Sequence, residues 1–236
     1  MNQEQAWEEE YRSKKMLSPS LLPQADVVRF SRWLKKDKKK QGAPLDMEEV
    51  TVLDLGSGTG RNSLYYAQQG AKVTGYEISA TALAMAEKSA RHAELPVTFE
   101  KRDIGVAFQL PSASFDIVLD VTSSNSLNDD ERKIYVKEVT RVLKSGGYLF
   151  VRALSLEGDP HAKKLVEQYP AGNPDTYKHP DLGIIEKVFS RQTFTDTYAP
   201  YFKIALLERI SHYPLVAGRR YKRQYWIAYL EKLPTE

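Results

Sequence analysis

The chain has 236 residues, 42% hydrophobic and 28% charged, the proportions of a globular protein long enough to bury a sizeable core in one domain. Lys and Arg number 34 against 31 Asp and Glu, and a net charge of +3 does not by itself demand nucleic acid. There is no cysteine, which excludes disulfides, thiolate metal sites and thiol catalysis, and the four histidines (His92, His161, His179, His212) lack metal-ligand spacing. No apolar run approaches membrane-spanning length, and the acidic opening Met1–Glu10 lacks the apolar stretch of a secretory signal, so the expectation is a cytoplasmic protein without a membrane partner.

Residues 1–45 are expected to form an N-terminal helical extension. Trp7 and Tyr11 share one helical face, Pro19 and Pro23 break that element, and Val27, Phe30 and Leu34, with Trp33 alongside, predict a second amphipathic helix. The aromatics are read as docking these helices on the core, with a lid over a site as the alternative. The cationic run Lys35–Lys40 reads as a solvated helix end or linker before Gly42 and Pro44.

From residue 46 to 236 the pattern alternates. Val50–Leu55 predicts a strand, 61–69 a helix ended by Gly70, and Lys72–Glu77 a second strand. Ser79 can cap a helix that turns Leu83, Ala86 and Ala90 inward, and Val97–Arg102 and Phe115–Val121 follow as strands. Asn128, Asp129 and Asp130 begin a helix with Ile134 or Tyr135, Val139 and Val142 inward, stopped at Gly146-Gly147 before a strand at Tyr148–Leu154. Residues 156–189, punctuated by Pro160, Pro170, Pro174 and Pro180, predict a long irregular insertion of the kind that is functional or mobile. A helix near 191–198 precedes strands Tyr201–His212 and Gln224–Lys232, antiparallel neighbours across Pro214–Arg223, with 225, 227 and 229 facing one side. The expected fold is α/β: a doubly wound, Rossmann-like, mostly parallel seven-stranded sheet with an antiparallel C-terminal strand.

Residues 52–60 read Val-Leu-Asp-Leu-Gly-Ser-Gly-Thr-Gly, and seventeen residues past Gly60 stands Glu77. A strand that stops at glycines, a helix, and a second strand ending in a carboxylate make a βαβ unit with a nucleoside site at its carboxyl edge. Glu77 can accept hydrogen bonds from both hydroxyls of a ribose. A dinucleotide site wants Gly-x-Gly-x-x-Gly, whereas Gly56, Gly58 and Gly60 alternate. A phosphate loop wants Gly-Lys where Arg61-Asn62 stand, and Leu55 two places before Ser57 removes the nucleophile elbow.

With these motifs the sequence resembles the class I S-adenosylmethionine-dependent methyltransferases. The first motif is joined by Gly-Tyr-Glu-Ile-Ser (75–79), Lys-Arg-Asp-Ile (101–104), Ser-Phe-Asp-Ile-Val-Leu-Asp (114–120) and Arg-Val-Leu-Lys-Ser-Gly-Gly-Tyr-Leu (141–149), all in order. The resemblance covers residues 50–155 strongly and implies S-adenosyl-L-methionine as cofactor. It implies that Gly56, Gly58 and Gly60 pass the main chain against the methionine and ribose portions. Glu77, with Ile78 beside it, takes the ribose, Asp103 and the backbone of Ile104 take the adenine, and Asp120 meets the methionine end. Asp54 would orient the loop or sense the amine, and Arg61 would pair with the cofactor carboxylate or lie on the surface. No metal is implied.

Methyl transfer from a sulfonium needs alignment more than a protein nucleophile, so no catalytic residue is named from the sequence. The stretch Val-Thr-Ser-Ser-Asn-Ser (121–126) lacks the Asn/Asp-Pro-Pro-aromatic motif of nucleic-acid amino methylation; Thr122, Ser123 and Asn125 could instead hold a small acceptor. Tyr169, Tyr177, His161 and His179 of the insertion are further candidates for an aromatic wall or a base. A small-molecule acceptor is expected. The alternatives are RNA, held by Lys35–Lys40 and by Arg219, Arg220, Lys222 and Arg223 with Tyr221, Tyr225 and Trp226, and a non-catalytic cofactor-binding scaffold.

Overall fold

The computed structural model describes residues 2–13, 21–213, 215–216, 219–220 and 222–234, with backbone alone for 215–216 and 219–220. Pro19, Pro214 and Tyr221, and the side chains of Arg219 and Arg220, lie outside the described residues.

Helices α1 (Gln3–Ser13) and α2 (Ala25–Lys40) precede an alternation of β1 (Thr51–Leu55), α3 (Arg61–Ala67), β2 (Lys72–Glu77), α4 (Ala80–His92), β3 (Val97–Lys101) and β4 (Phe115–Val121). After a 3-10 turn, Ser124–Ser126, come α5 (Asp129–Val142), β5 (Leu143–Leu154), α6 (Pro160–Gln168), β6 (Thr176–Lys178), β7 (Ile185–Lys187) and α7 (Arg191–Tyr198). The chain continues through β8 (Phe202–His212), the two-residue strands β9 (Leu215–Val216) and β10 (Arg219–Arg220), and β11 (Arg223–Lys232).

Seven strands form one sheet in the order β3-β2-β1-β4-β5-β11-β8, and only β11 runs against its neighbours. The chain winds outward from β1 to β3, then returns to the far side of β1 for β4. That reversal leaves a crevice above the carboxyl ends of β1 and β4. Because β8 is parallel and β11 antiparallel to the rest, the end of β8 and the start of β11 reach the same edge.

Both faces of the sheet are covered, which is why its strands read as near-continuous apolar runs. On one face Leu53, Leu149 and Val151 pack with Tyr135 and Val139 of α5 and Phe194 and Tyr198 of α7. On the other, Val27, Phe30 and Leu34 of α2 pack with Val52, Tyr66, Phe150 and Tyr229. The Phe30 ring lies 4.9 Å from Tyr229 and 5.3 Å from Phe150, and Trp33 lies 4.8 Å from Tyr229, so α2 docks on the core as expected. The lysine run forms its last turns: Lys35 Nζ donates to Gln69 Oε1 at 2.6 Å and Lys38 Nζ sits over the Tyr148 ring.

Four local expectations need correction. In α4 the buried stripe is Ala82, Ala86 and Ala90, with Leu83 only half-buried; Ser79 does cap the helix, accepting from Ala82 N at 3.1 Å. In α5 Tyr135 is buried and Ile134 exposed, and the helix stops at Val142, before Gly146-Gly147. Its last carbonyls are already engaged, since Ala113 N donates to Arg141 O and Ser114 N to Val142 O. The insertion is ordered: Asp159 caps α6 with Pro160 in its first turn, and β6 pairs with β7. Finally, residues 224–230 are buried on both faces, because β11 lies between β5 and β8, so 225, 227 and 229 do not mark an inward side.

No helix among the described residues is long and apolar enough to cross a membrane. Phe30, fully buried among three aromatic rings, should cost about 3–5 kcal/mol of stability as Phe30→Ala. Exposed Ile134→Ala should stay within about 0.5 kcal/mol. Urea unfolding monitored by circular dichroism measures both.

Candidate active site

The crevice above β1 and β4 holds a cavity of about 440 Å³. Its floor is the loop between β1 and α3. Ser57 N donates to Tyr76 O at 2.9 Å, Gly60 N to Ser57 O at 2.9 Å, and Gly58 N to Glu77 Oε2 at 2.8 Å. Gly58 has φ +56°, and a Cβ there would stand 2.7 Å from the Tyr11 hydroxyl, so glycine is required for both conformation and space. Gly60 is glycine for another reason: a Cβ would press on Phe99 and Ala86, behind the loop.

Glu77 lies at the cavity wall with 4% exposure. Burial pushes its carboxyl above the usual range, while the amides of Ser79 and Gly58 hold it down. Each oxygen accepts one of these amides, at 2.8 Å, which leaves lone pairs on both for a ligand. Nearby, Ser57 Oγ is buried and has no partner among the described residues. An open glycine floor and a carboxylate with spare acceptor capacity fit a polyhydroxylated nucleoside. Further along the wall are Ile78, Arg102, Asp103, Ile104 and Leu127. Asp103 Oδ1 accepts from Gly105 N at 2.7 Å, a local turn that orients the carboxylate and leaves its other oxygen free for the cavity.

Of the nine expected cofactor residues, Gly56, Gly58, Glu77, Ile78, Asp103 and Ile104 line this cavity. Gly60, Asp54 and Asp120 lie behind its wall. Asp54 is 1% exposed and accepts from Ser63 Oγ at 2.6 Å, pinning the start of α3. Asp120 is fully buried: Oδ1 accepts from Ser123 N, Ser123 Oγ and Ser124 N, and Oδ2 from the Tyr135 hydroxyl at 2.7 Å. It shapes the loop after β4. In that loop Thr122 has φ +65°, an uncommon conformation for a β-branched residue, and it lines the cavity with Ser123. Asn125 does not; its Nδ2 donates to Lys187 O at 2.6 Å and ties the loop to the insertion.

The N-terminal helices divide the two readings of their aromatics. While α2 docks, α1 covers the cavity with Gln3, Trp7 and Tyr11. Its polar contacts are specific. Glu8 accepts from Ser79 Oγ and Thr81 Oγ1, both at 2.6 Å, and from Thr81 N at 3.1 Å. Burial acts to raise the Glu8 carboxyl, but the Ser79 and Thr81 hydrogen bonds bring it down to about 2. Gln3 Nε2 donates to Ser126 O and Ile185 O, and Lys101 pairs with Glu4 at 2.6 Å.

None of Tyr169, Tyr177, His161 and His179 lines the cavity, and the expectation that one of them walls it is corrected. The insertion packs on itself and on β5 and β11 through Tyr177, Leu165 and Leu154. The rings and the guanidinium at that end come instead from the sheet, His212 of β8, Tyr225 of β11 and Arg152 of β5, with Arg61 of α3 beside them. Arg61 donates to Gln24 Oε1 at 3.0 Å, and burial, then the charge of Arg152, push its pKa down. The sequence reading missed Arg152 and the site role of His212. The signal was a lone cation in the otherwise apolar run Tyr148–Leu154. Arg223, counted towards a basic surface, is held inside by Asp159 Oδ2 at 3.1 Å and packs by Tyr177.

The comparisons agree with this geometry. Residues 52–147 match the methyltransferase domain family. Over 104 residues the chain is 30% identical to an uncharacterized methyltransferase of Schizosaccharomyces pombe, covering 44% of this chain and 71% of that one. Over 155 residues it is 32% identical to a demethylmenaquinone methyltransferase of Chlorobaculum parvum, covering 64% and 57%. The crystal structure of an S-adenosylmethionine-dependent methyltransferase from Methanosarcina mazei superposes with a TM-score of 0.68 at 24% identity, covering 81% of this chain and 95% of that one. The chain belongs to the class I S-adenosylmethionine-dependent methyltransferases: it is an enzyme, and S-adenosyl-L-methionine is its cofactor.

Two measurements test the supporting groups. Burial raises the Asp54 carboxyl from 3.8 to about 6, against the Ser63 hydrogen bond and the Arg61 charge. The native state then keeps this proton to higher pH than the unfolded chain, so the contribution of Asp54 to stability falls as pH rises through that window. The unfolding free energy of wild type minus that of Asp54→Asn, from urea titrations, should decline between about pH 4 and pH 6. A flat difference refutes the shift. For the α1 clasp, Glu8→Ala removes three charge-assisted hydrogen bonds, and mass-spectrometric hydrogen exchange at pH 7 should show α1 amides exchanging at least about tenfold faster with β1 and β4 unchanged.

Proposed function

We propose that the enzyme transfers the methyl group of S-adenosylmethionine to a small-molecule acceptor. The observation that carries this reading is the closure of the cavity by α1, whose Tyr11 hydroxyl lies over Gly58 while Glu8 is clasped to the start of α4. A volume of about 440 Å³ is in the range of roughly 300–1,000 Å³ typical of small-ligand sites. On this reading residues 1–45 are a lid-bearing extension of a single domain, 46–236. The Chlorobaculum relative, named for demethylmenaquinone, is an enzyme of small-molecule metabolism and supports the same class of acceptor.

The residues divide the work as follows. Gly56 and Gly58 let the main chain approach the methionine and ribose portions. Glu77 accepts the ribose hydroxyls with the lone pairs left by Gly58 and Ser79, and Ile78 lies beside it. Asp103 uses its second oxygen for the adenine amine, with Ile104 against the ring. Arg61 pairs with the cofactor carboxylate. Asp54, Gly60 and Asp120 hold these groups in place from behind. The cofactor supplies an activated methyl group on a sulfonium. The chain's own contribution is alignment and exclusion of water, which in favourable systems supplies ~7–11 kcal/mol.

Glu77→Ala should weaken S-adenosylmethionine binding by about 1–3 kcal/mol in calorimetric titration, and Gly58→Val should abolish it while the variant stays folded. Unchanged affinity in either variant contradicts the assignment of that residue. For the acceptor, tritiated-methyl transfer into separated metabolite, RNA and protein fractions should label the metabolites. Label confined to RNA or protein overturns the small-molecule reading.

A further inference from the structure

Arg152 is a cavity cation that the cofactor assignment above leaves unused. It is the only charged residue in the run Tyr148–Leu154, paired across the sheet with Val121 on β4 and Ile227 on β11, and it is 7% exposed. A guanidinium carries five N–H donors. Its side chain makes no hydrogen bond to any described residue, and its Nε is buried without a partner. The carboxylate beside it, Asp26 Oδ2, stands 3.5 Å from Nε, beyond good hydrogen-bond length, and Asp26 also faces Arg29 at 3.7 Å. The Tyr225 ring lies under the guanidinium, 3.5 Å from Cζ, which fixes its plane and leaves the in-plane donors unused. A buried cation with unmet donors is costly, so a residue of this kind at a cavity wall is matched by what enters the cavity.

Position separates Arg152 from the end of the cavity assigned to the ribose and adenine, although its charge still acts on Arg61. Glu77 ends β2, and β5 lies three strands further along the sheet, roughly 14 Å at the usual strand spacing. The acidic side chains of the cavity wall, Glu77, Asp103 and Glu131, are at the β2–β3 side, and the guanidinium of Arg152 and the imidazole of His212, whose pKa burial and the Arg152 charge push down, come from β5 and β8. Arg61, at the first turn of α3 beside the glycine loop, is the cation placed for the methionine carboxylate.

Resting on the methyltransferase reading, we propose that the acceptor carries a carboxylate, bound by the guanidinium of Arg152 with His212 and Tyr225 around it. The planar fork of an arginine matches a carboxylate in two parallel hydrogen bonds. One guanidinium, with Asp26 already 3.5 Å away, suits a single negative charge better than a phosphate dianion. Trp7 and Tyr225 add ring surface to the lining of the same cavity, which suits an acceptor with an apolar body.

The test is calorimetric titration of the full chain with matched acid and amide pairs (benzoate and benzamide, cinnamate and cinnamamide, hexanoate and hexanamide) and with phenyl phosphate, run with and without saturating S-adenosylhomocysteine. Wild type should bind at least one acid about tenfold or more tightly than its amide. Arg152→Gln should bring that acid down to the level of its amide, with S-adenosylhomocysteine affinity within about twofold of wild type. Arg152→Lys, which keeps the charge without the fork, should fall between them. Equal binding of all acids and amides, an acid preference that survives in Arg152→Gln, or phenyl phosphate bound more tightly than benzoate overturns the proposal. Loss of S-adenosylhomocysteine binding in wild type strikes the cofactor assignment instead, and the arm without it still reads Arg152.

Discussion

The Glu77 carboxylate ties together the two loops that leave the paired strands β1 and β2. One oxygen takes the amide of Gly58, in the loop that leaves β1, and the other takes Ser79, at the start of α4. Both bonds are made in a buried setting, where an ionised acceptor is strong and its loss leaves two amides unpaired. This bridge joins the backbone bonds of the loop and the Ser79 cap of α4 in holding the floor of the cavity. Ser79 carries the chain of dependence further, because its hydroxyl both caps α4 and donates to Glu8 of the covering helix.

The sheet supplies the rest of the geometry. With β1 and β4 adjacent and their crossovers leaving in opposite directions, the loops after them splay apart and open a crevice. Two buried carboxylates set the width of that opening from behind. Asp54 draws α3 in through Ser63, and Asp120 gathers Ser123, Ser124 and Tyr135. Arg132 adds a further tie, donating to the carbonyls of Ser124 and Leu127 while lying over Phe189. The wall that faces the ligand is therefore held by groups that do not face it.

Much of this is legible in the chain. Strands buried on both faces show as apolar runs, glycines between a strand and a helix show as a turn, and the acid after β2 falls at the spacing a βαβ unit dictates. What is not legible depends on partners distant in sequence. Asp54 and Asp120 look like ligand groups because nothing local reveals Ser63 Oγ or the Tyr135 hydroxyl as their partners. The end of α5 is set by amides of Ala113 and Ser114, almost thirty residues upstream, and not by the glycine pair that follows it. The insertion looks irregular because proline signals a break wherever it falls, whereas Pro160 opens a helix. The tail of β11 suggests alternation only until β8 is known to cover its other side. Trp7 and Trp33 sit in similar amphipathic stretches, yet one ends over the site and the other in the core.

The polar clasp on α1 has a practical corollary. The residues that cover the cavity, Gln3, Trp7 and Tyr11, and those that clasp the cover, Glu4 and Glu8, all belong to α1. A purification tag or fusion partner attached next to α1 would load the helix that covers the cavity. Residence times measured on such a protein would report the appendage as much as the enzyme. A handle on the carboxyl end, beyond β11 and away from the carboxyl edge of the parallel strands, leaves that helix undisturbed.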